Sequence, residues 1–600
     1  MREYAKYIWR YYRQHLSVFA ILVVLTPVQA AIWVTFPLMI GFMIDYVSTQ
    51  TVPNNAFAQW IATTGAGFGW TPVASFAIGF VVISFVAMLV YAYFQCWRAW
   101  MNQKLEWLFR QGAFAKIIEK GPDFFNKFRT GDIVTRLTDD VAEKLSWFAC
   151  SGIFRFYEAL IKVVFTIVVM TTIDPWLTLL AAGPLPLLII IFFKSSTVLD
   201  KRYDLLQKKI SHQSDVMESC FSGIRVVKAY AQELRQSAKY GDAAHERREA
   251  EISSVKATTV IESMYGYIWQ FGMVLVILIG GMMVIDKTLT FGSMMSFVYY
   301  VTTLVFPMFD VGQFLVKARQ SAVSIDRLRE LEDYPVAVSE KASPESNGDL
   351  HGRIRFENVS FKFPENERAI LDEISLAVNP GETVAVVGKV GSGKSWLINM
   401  IPRLVDPVSG AVSIDDKDLR HLSFADLRPR IGYVPQEPVL FSDSIRSNIT
   451  MGRLEVNEET IQWATEIAQL KDDIARFPKG LETEIGTRGM SISGGQKQRL
   501  SLARALVGKP RILVLDDCTS ALDSRTEAAL WERLHEVMPE MTAIIVTHRP
   551  DTLERADRIF VLENGRIVET GRHSELLAQE GHYASIYKRF QLEQAVGTPF

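Results

Sequence analysis

Residues 388 to 395 read GKVGSGKS, a glycine-rich turn that ends on a lysine and a hydroxyl. Gly388, Gly391 and Gly393 let the backbone curl so that its N–H groups, with those of Lys389, Val390 and Ser392, point at phosphate oxygens. Lys394 would reach the β and γ phosphates and the Ser395 hydroxyl would ligate Mg²⁺; Trp396 follows directly. A second set lies in ILVLDDCTSALDS, Ile512 to Ser524, where an apolar run ends on Asp516 and continues to Asp517. An aspartate at the end of such a strand sits at the carboxyl edge of a sheet, near the metal. Together these residues can hold ATP with Mg²⁺, and a carboxylate at 517 can position the water that attacks the γ-phosphate.

The elements that must carry them are legible around them. ETVAVV ahead of the turn is a β-branched strand, and the apolar residues after Ser395 read as a helix. The soluble part begins at RIRFENVSFKF after a polar linker, giving an expected division into 1–332, linker 333–352 and 353–600. The first part differs in kind. Six apolar stretches, about 17–45, 70–97, 149–172, 175–197, 260–285 and 291–317, each approach the roughly 20 residues needed to cross a bilayer. The segments after the first and third lack Lys and Arg, whereas the N-terminus, the connections 98–144 and 194–256 and the segment after Lys317 are rich in them. The basic segments, and with them the N-terminus and the ATP-binding part, are therefore expected on the cytoplasmic side. The N-terminal MREYAKYIWRYYRQH reads as an interfacial helix rather than a signal peptide.

Composition narrows the choices. With 49% hydrophobic residues in 600, the chain is too long for one domain and too apolar for two soluble ones. A net charge of −2 gives no support to a nucleic-acid partner. Cys96, Cys150, Cys220 and Cys518 form no close pair and read as packing residues rather than a zinc site or disulfide framework. Within the spans, Glu158 and Lys162 stand four apart and are expected to pair, with each other or a neighbouring helix, the alternatives being a direct substrate contact or interfacial snorkelling, while Glu262 and Asp310 need a cavity or a partner. Met264, Trp269, Met273, Phe297, Tyr299, Tyr300 and Phe306 read as helix packing, with an adaptable apolar pocket as the alternative.

A rarer motif gives the family. In SISGGQKQRLSLARAL, Ile492 to Gln496 read ISGGQ just before an Arg- and Leu-rich helix. This resembles the signature of ABC transporter ATPase domains, usually LSGGQ. Ser493, Gly494, Gly495 and Gln496 would then form a second anion-binding surface at a helix N-terminus, facing the γ-phosphate held by an opposite subunit. The resemblance implies further assignments in family order: Phe363 as the aromatic that stacks on adenine, Gln436 as a residue of the loop that senses Mg²⁺, Asp523 of SALD at the dimer interface, and His548 as the switch histidine on the γ-phosphate. GPDFFNKFRTGDIVTRLTDDV and SGIRVVKAYAQE resemble the two cytoplasmic loops of exporter-type half-transporters, whose short coupling helices dock on ATPase domains. The implied architecture is a multi-domain membrane protein: an all-α six-helix transmembrane domain followed by an α/β P-loop ATPase domain of ABC type.

The chain departs from that pattern at Asp517, where the family usually carries glutamate, and lesser departures are Thr487, Trp396 and Cys518. A carboxylate misplaced by about 1 Å can cost on the order of a hundredfold in rate. A weak catalytic position beside an intact ISGGQ resembles the Asp-bearing subunit of heterodimeric bacterial exporters. The expectation is therefore ATP-driven export of hydrophobic or amphipathic compounds, drugs or lipids, across a bacterial inner membrane by this chain paired with a second half-transporter, a heterodimer being favoured over a homodimer. The alternatives are import of a metal chelate through the same fold and an ATP-gated channel or regulatory membrane protein.

Overall fold

The computed structural model describes residues 2–183, 185–341, 344–345, 348, 350–363, 368–451, 453, 456–486, 492–518 and 524–596. The chain divides into two compact units, one of residues 1–118 and 130–333, the other of residues 119–129 and 334–600.

The first unit is helical. Among the described residues, four helices are long and apolar enough to cross a membrane: Arg2–Thr49, Pro72–Ile118, Thr130–Ile173 and Glu233–Ile285; the apolar helix Phe291–Pro307 is shorter. Each of the six apolar stretches lies on helix, the fourth across Pro175–Ala182 and Leu185–Ser222. Several helices run well past their apolar part. Pro72–Ile118 has 47 residues and Glu233–Ile285 has 53, about 70 and 80 Å at 1.5 Å per residue. Asp174 ends one helix and caps the next by accepting from the Leu177 N–H, which makes the tight turn at TTIDPW.

Packing in this unit uses small residues and buried polar contacts. The first long helix meets Phe291–Glu332 where Gly41 faces Gly292, and Asp45, 6% exposed, accepts from the Gly292 N–H and the Thr290 hydroxyl, both at 2.7 Å. The N-terminal helix Arg2–Tyr12 buries Tyr7, Ile8, Tyr11 and Tyr12, with Tyr11 edge-on to Phe109 at 4.6 Å. Two details depart from the sequence reading. The loop after the first span folds a helix, Ala56–Ala66, capped by Asn55, and Cys96 is exposed rather than packed, unlike the buried Cys150 and Cys518.

The second unit is built on two sheets. A four-stranded antiparallel sheet has the order 371–378, 354–361, 409–414, 417–418. A six-stranded sheet has the order 566–571, 558–563, 383–387, 542–546, 512–516, 431–434, with the last five strands parallel to one another. Strands 512–516 and 542–546 are buried at every residue, as expected of central parallel strands covered on both faces. This explains why ILVL and AIIV are unbroken apolar runs rather than alternating ones. Residues 119–129 belong to this unit: Phe124, fully buried, lies 5.4 Å from the Tyr334 ring, and Lys120 donates to the Tyr334 carbonyl.

Candidate functional site

Four adjacent parallel strands deliver the predicted residues to one edge of the six-stranded sheet. The glycine turn follows 383–387, His548 lies two residues past 542–546, Asp516 ends 512–516, and Gln436 lies two residues past 431–434. At roughly 4.8 Å between strands, the outer two are about 14 Å apart. That is the carboxyl edge, where ligands bind open α/β sheets.

In the turn, Gly393 has φ +104°, and a Cβ there would lie 2.8 Å from Leu371 Cδ2 and 3.0 Å from the Ile370 carbonyl. Only glycine fits this bend without strain. The Lys394 ammonium folds back on the turn, donating to the carbonyls of Gly388 at 2.8 Å and Lys389 at 2.9 Å. Burial lowers its pKa, opposed by the charges of Asp516 and Asp517. Ser392, 5% exposed, has a buried Oγ that meets no hydrogen-bond partner among the described residues. Val390 at the tip is 95% exposed and Lys389 pairs with Glu563 at 3.0 Å. The turn is thus preformed, with a hydroxyl and an ammonium at its centre.

Beside it, Asp516 is 5% exposed; burial raises its pKa, and the neighbouring Ser395 hydroxyl and Lys394 charge oppose the rise. Asp517 turns out of the strand with φ +44°, its N–H donating to the Val546 carbonyl at 2.9 Å. Its Oδ1 is buried without a hydrogen-bond partner among the described residues, and burial together with the neighbouring Asp516 charge pushes its pKa up to about 6. The glycine turn, the Ser395 hydroxyl and the two carboxyls of Asp516 and Asp517 lie together.

The aromatic Phe363 is half-buried and stands edge-on to the Trp396 ring at 4.8 Å, and Phe361 stacks on Trp396 at 5.6 Å. Trp396 is therefore the wall that sets the Phe363 ring. His548 lies 5.0 Å edge-on from Phe590, and Gln436 is exposed. At the signature, Ser493 caps helix Gly494–Leu506: its Oγ accepts from the Gln496 N–H, and the Gln496 side chain accepts from the Ser493 N–H. Gln496 also donates to Asp473 at 2.9 Å, which Arg499 grips at 2.6 Å, so this helix start is fixed from two sides. Gly494 and Gly495 form its first turn. Asp523 and Thr487 lie outside the described residues.

The structure adds residues that sequence reasoning missed. Glu527, 1% exposed, accepts from Arg549 and Thr552, and both Arg549 and Glu527 act electrostatically on Asp517. Tyr433 donates to Asn399 at 2.8 Å, and burial and the Asp516 charge push its phenol up to about 12. Arg549 stands next to His548, a proximity that could have flagged it; Glu527 carries no such signal.

Comparison with known proteins gives the family. Residues 19–308 match the family described as ABC transporter transmembrane region, and residues 371–520 the family described as ABC transporter. The chain is 30% identical over 607 residues to the multidrug resistance-like ATP-binding protein MdlA of Escherichia coli (strain K12), covering 99% of this chain and 98% of that protein. It is 30% identical over 571 residues to the probable multidrug resistance ABC transporter ATP-binding/permease protein YheI of Bacillus subtilis (strain 168), covering 94% and 96%. A solved bacterial Atm1-family ABC exporter with ATP bound superimposes with a TM-score of 0.78 at 25% identity, over 96% of this chain and 98% of that one. With a transmembrane domain fused to an ATPase domain that binds ATP and couples its hydrolysis to transport, this integral membrane protein belongs to the ABC transporter family.

Proposed function

We propose that the chain is one half of an ATP-driven exporter of hydrophobic or amphipathic compounds, with six spans in residues 1–332, a linker at 333–352 and the ATPase domain in 353–600, oriented with that domain and the N-terminus in the cytoplasm of a bacterial cell and the spans in its inner membrane. The observation that carries export is full-length similarity to relatives named for multidrug resistance. ATP would rest with its adenine on Phe363, held in place by Trp396, and its phosphates against the amides from Gly388 to Ser395 and the Lys394 ammonium. Mg²⁺, which when bound offsets phosphate charge, suits the hard oxygens of Ser395, Asp516 and Gln436. Asp517 positions the attacking water and takes its proton, and His548 contacts the γ-phosphate. Ser493, Gly494, Gly495 and Gln496, together with Asp523, serve the site across the dimer.

The same reading makes this chain's own site slow. Asp517 reaches one methylene less far than glutamate from a backbone already fixed by its bond to Val546, so water sits off line. With the signature helix well ordered, the partner is a different half-transporter, whose stronger catalytic site this chain's ISGGQ completes. Inside-out membrane vesicles test export: ATP-dependent accumulation of a lipophilic fluorescent dye is expected, and ATP-dependent loss of preloaded dye, or no coupled movement, contradicts it.

A further inference from the structure

In the helical unit a cavity of about 530 Å³ opens between four helices, with Trp33, Phe36, Met88 and Tyr91 on its walls and five ionisable groups around it. Glu158 takes Lys162 at 2.6 Å and Arg98 only at 3.8 Å, and Arg155 approaches Asp310 only to 4.0 Å. Three cations thus face two carboxylates.

Such groups are costly at membrane depth unless they meet a partner. Arg98 is 8% exposed, and its guanidinium makes no hydrogen bond to the described residues. Gln29, also 8% exposed, lines the same cavity with its Oε1 buried and unpartnered among the described residues. Lys162 lies 4.8 Å from the Trp33 ring centroid, so a charged contact adjoins an aromatic face. The vacant hydrogen-bonding capacity is that of a planar cation, which grips a carboxylate or sulfonate with paired bonds.

We infer that this cavity seats amphipathic monoanions: an apolar or aromatic body against Trp33 and Met88, and a single carboxylate or sulfonate on Arg98. This names the substrate class of the exporter proposed above and rests on that reading for transport, though not for binding.

The test uses the full-length chain in nanodiscs without nucleotide, titrated with 1-naphthylacetate, its methyl ester and 1-naphthylethylamine, reading the quenching of tryptophan fluorescence that Trp33→Phe removes. The acid is expected to bind at least tenfold more tightly than the ester and the amine. Arg98→Gln should bring acid and ester within threefold by weakening the acid alone, and Arg98→Lys should retain part of the preference. Unchanged ATP binding and ester affinity certify that both variants are folded. Equal or tighter binding of ester or amine, or an Arg98→Gln variant that keeps the tenfold ratio, overturns the proposal. ATP-driven movement is read separately in vesicles: anion-selective binding without movement sinks the exporter reading and leaves the seat, whereas movement without anion preference does the reverse.

Discussion

Asp517 and Val546 are joined by a 2.9 Å backbone hydrogen bond, which ties the first residue beyond one central strand to the end of its neighbour. It fixes the root of the Asp517 carboxyl while that carboxyl keeps one buried oxygen unpartnered among the described residues.

An acid held in this way titrates out of its ordinary range. Its pKa of about 6 lies above the ordinary 3.8, so the folded nucleotide-free chain keeps the proton to higher pH than the unfolded chain does. Its ionisation therefore subtracts stability as pH rises from about 4 to above 6, by up to ~3 kcal/mol. Asp517→Asn lacks this loss. Melting curves without nucleotide from pH 4.5 to 7.5 should show the variant gaining on wild type as pH rises; a constant or narrowing difference contradicts the assignment.

Lys394 donates to two turn carbonyls, and hydrogen bonds to charged groups contribute roughly 1.5–3 kcal/mol each. Lys394→Ala removes the brace of the turn together with the proposed phosphate contact. A loss of more than tenfold in ATP affinity is expected in equilibrium binding. Affinity within threefold of wild type would show that the ammonium does not meet phosphate.

Gly292 tests the helical unit alone. A Cβ there would stand 2.1 Å from the Gly41 carbonyl and 2.6 Å from the Asp45 carboxylate, so two backbones must separate. Gly292→Ala should cost about 1–3 kcal/mol, read as a lower melting temperature in detergent, with ATP affinity unchanged. An unaltered melting temperature would mean that this approach is not tight in the folded protein.

What the sequence revealed and what it hid divide by range. The glycine turn, ISGGQ and the aspartate-ended strand are contiguous, and the chemistry of each is dictated within a dozen residues. Lateral strand order is not: nothing in GYVPQ states that its strand lies beside 512–516, which is what brings Gln436 to the Asp516 edge. The pairing of Glu158 with Lys162 followed from helical spacing and is present at 2.6 Å. Arg98, however, sits at the end of an apolar run and reads as the start of a cytoplasmic connection, and only the packing of a second helix turns it toward Glu158. Trp396 likewise reads in sequence as a departure of little consequence, whereas in the fold its ring stands against Phe363.

The central claim is that this is a transport ATPase whose own catalytic position is weakened by one missing methylene. ATP turnover by the purified full-length chain, compared with that of Asp517→Glu, tests it most directly. Slow hydrolysis by wild type and a gain of at least tenfold in the variant are predicted; brisk wild-type turnover that glutamate fails to raise would contradict the account.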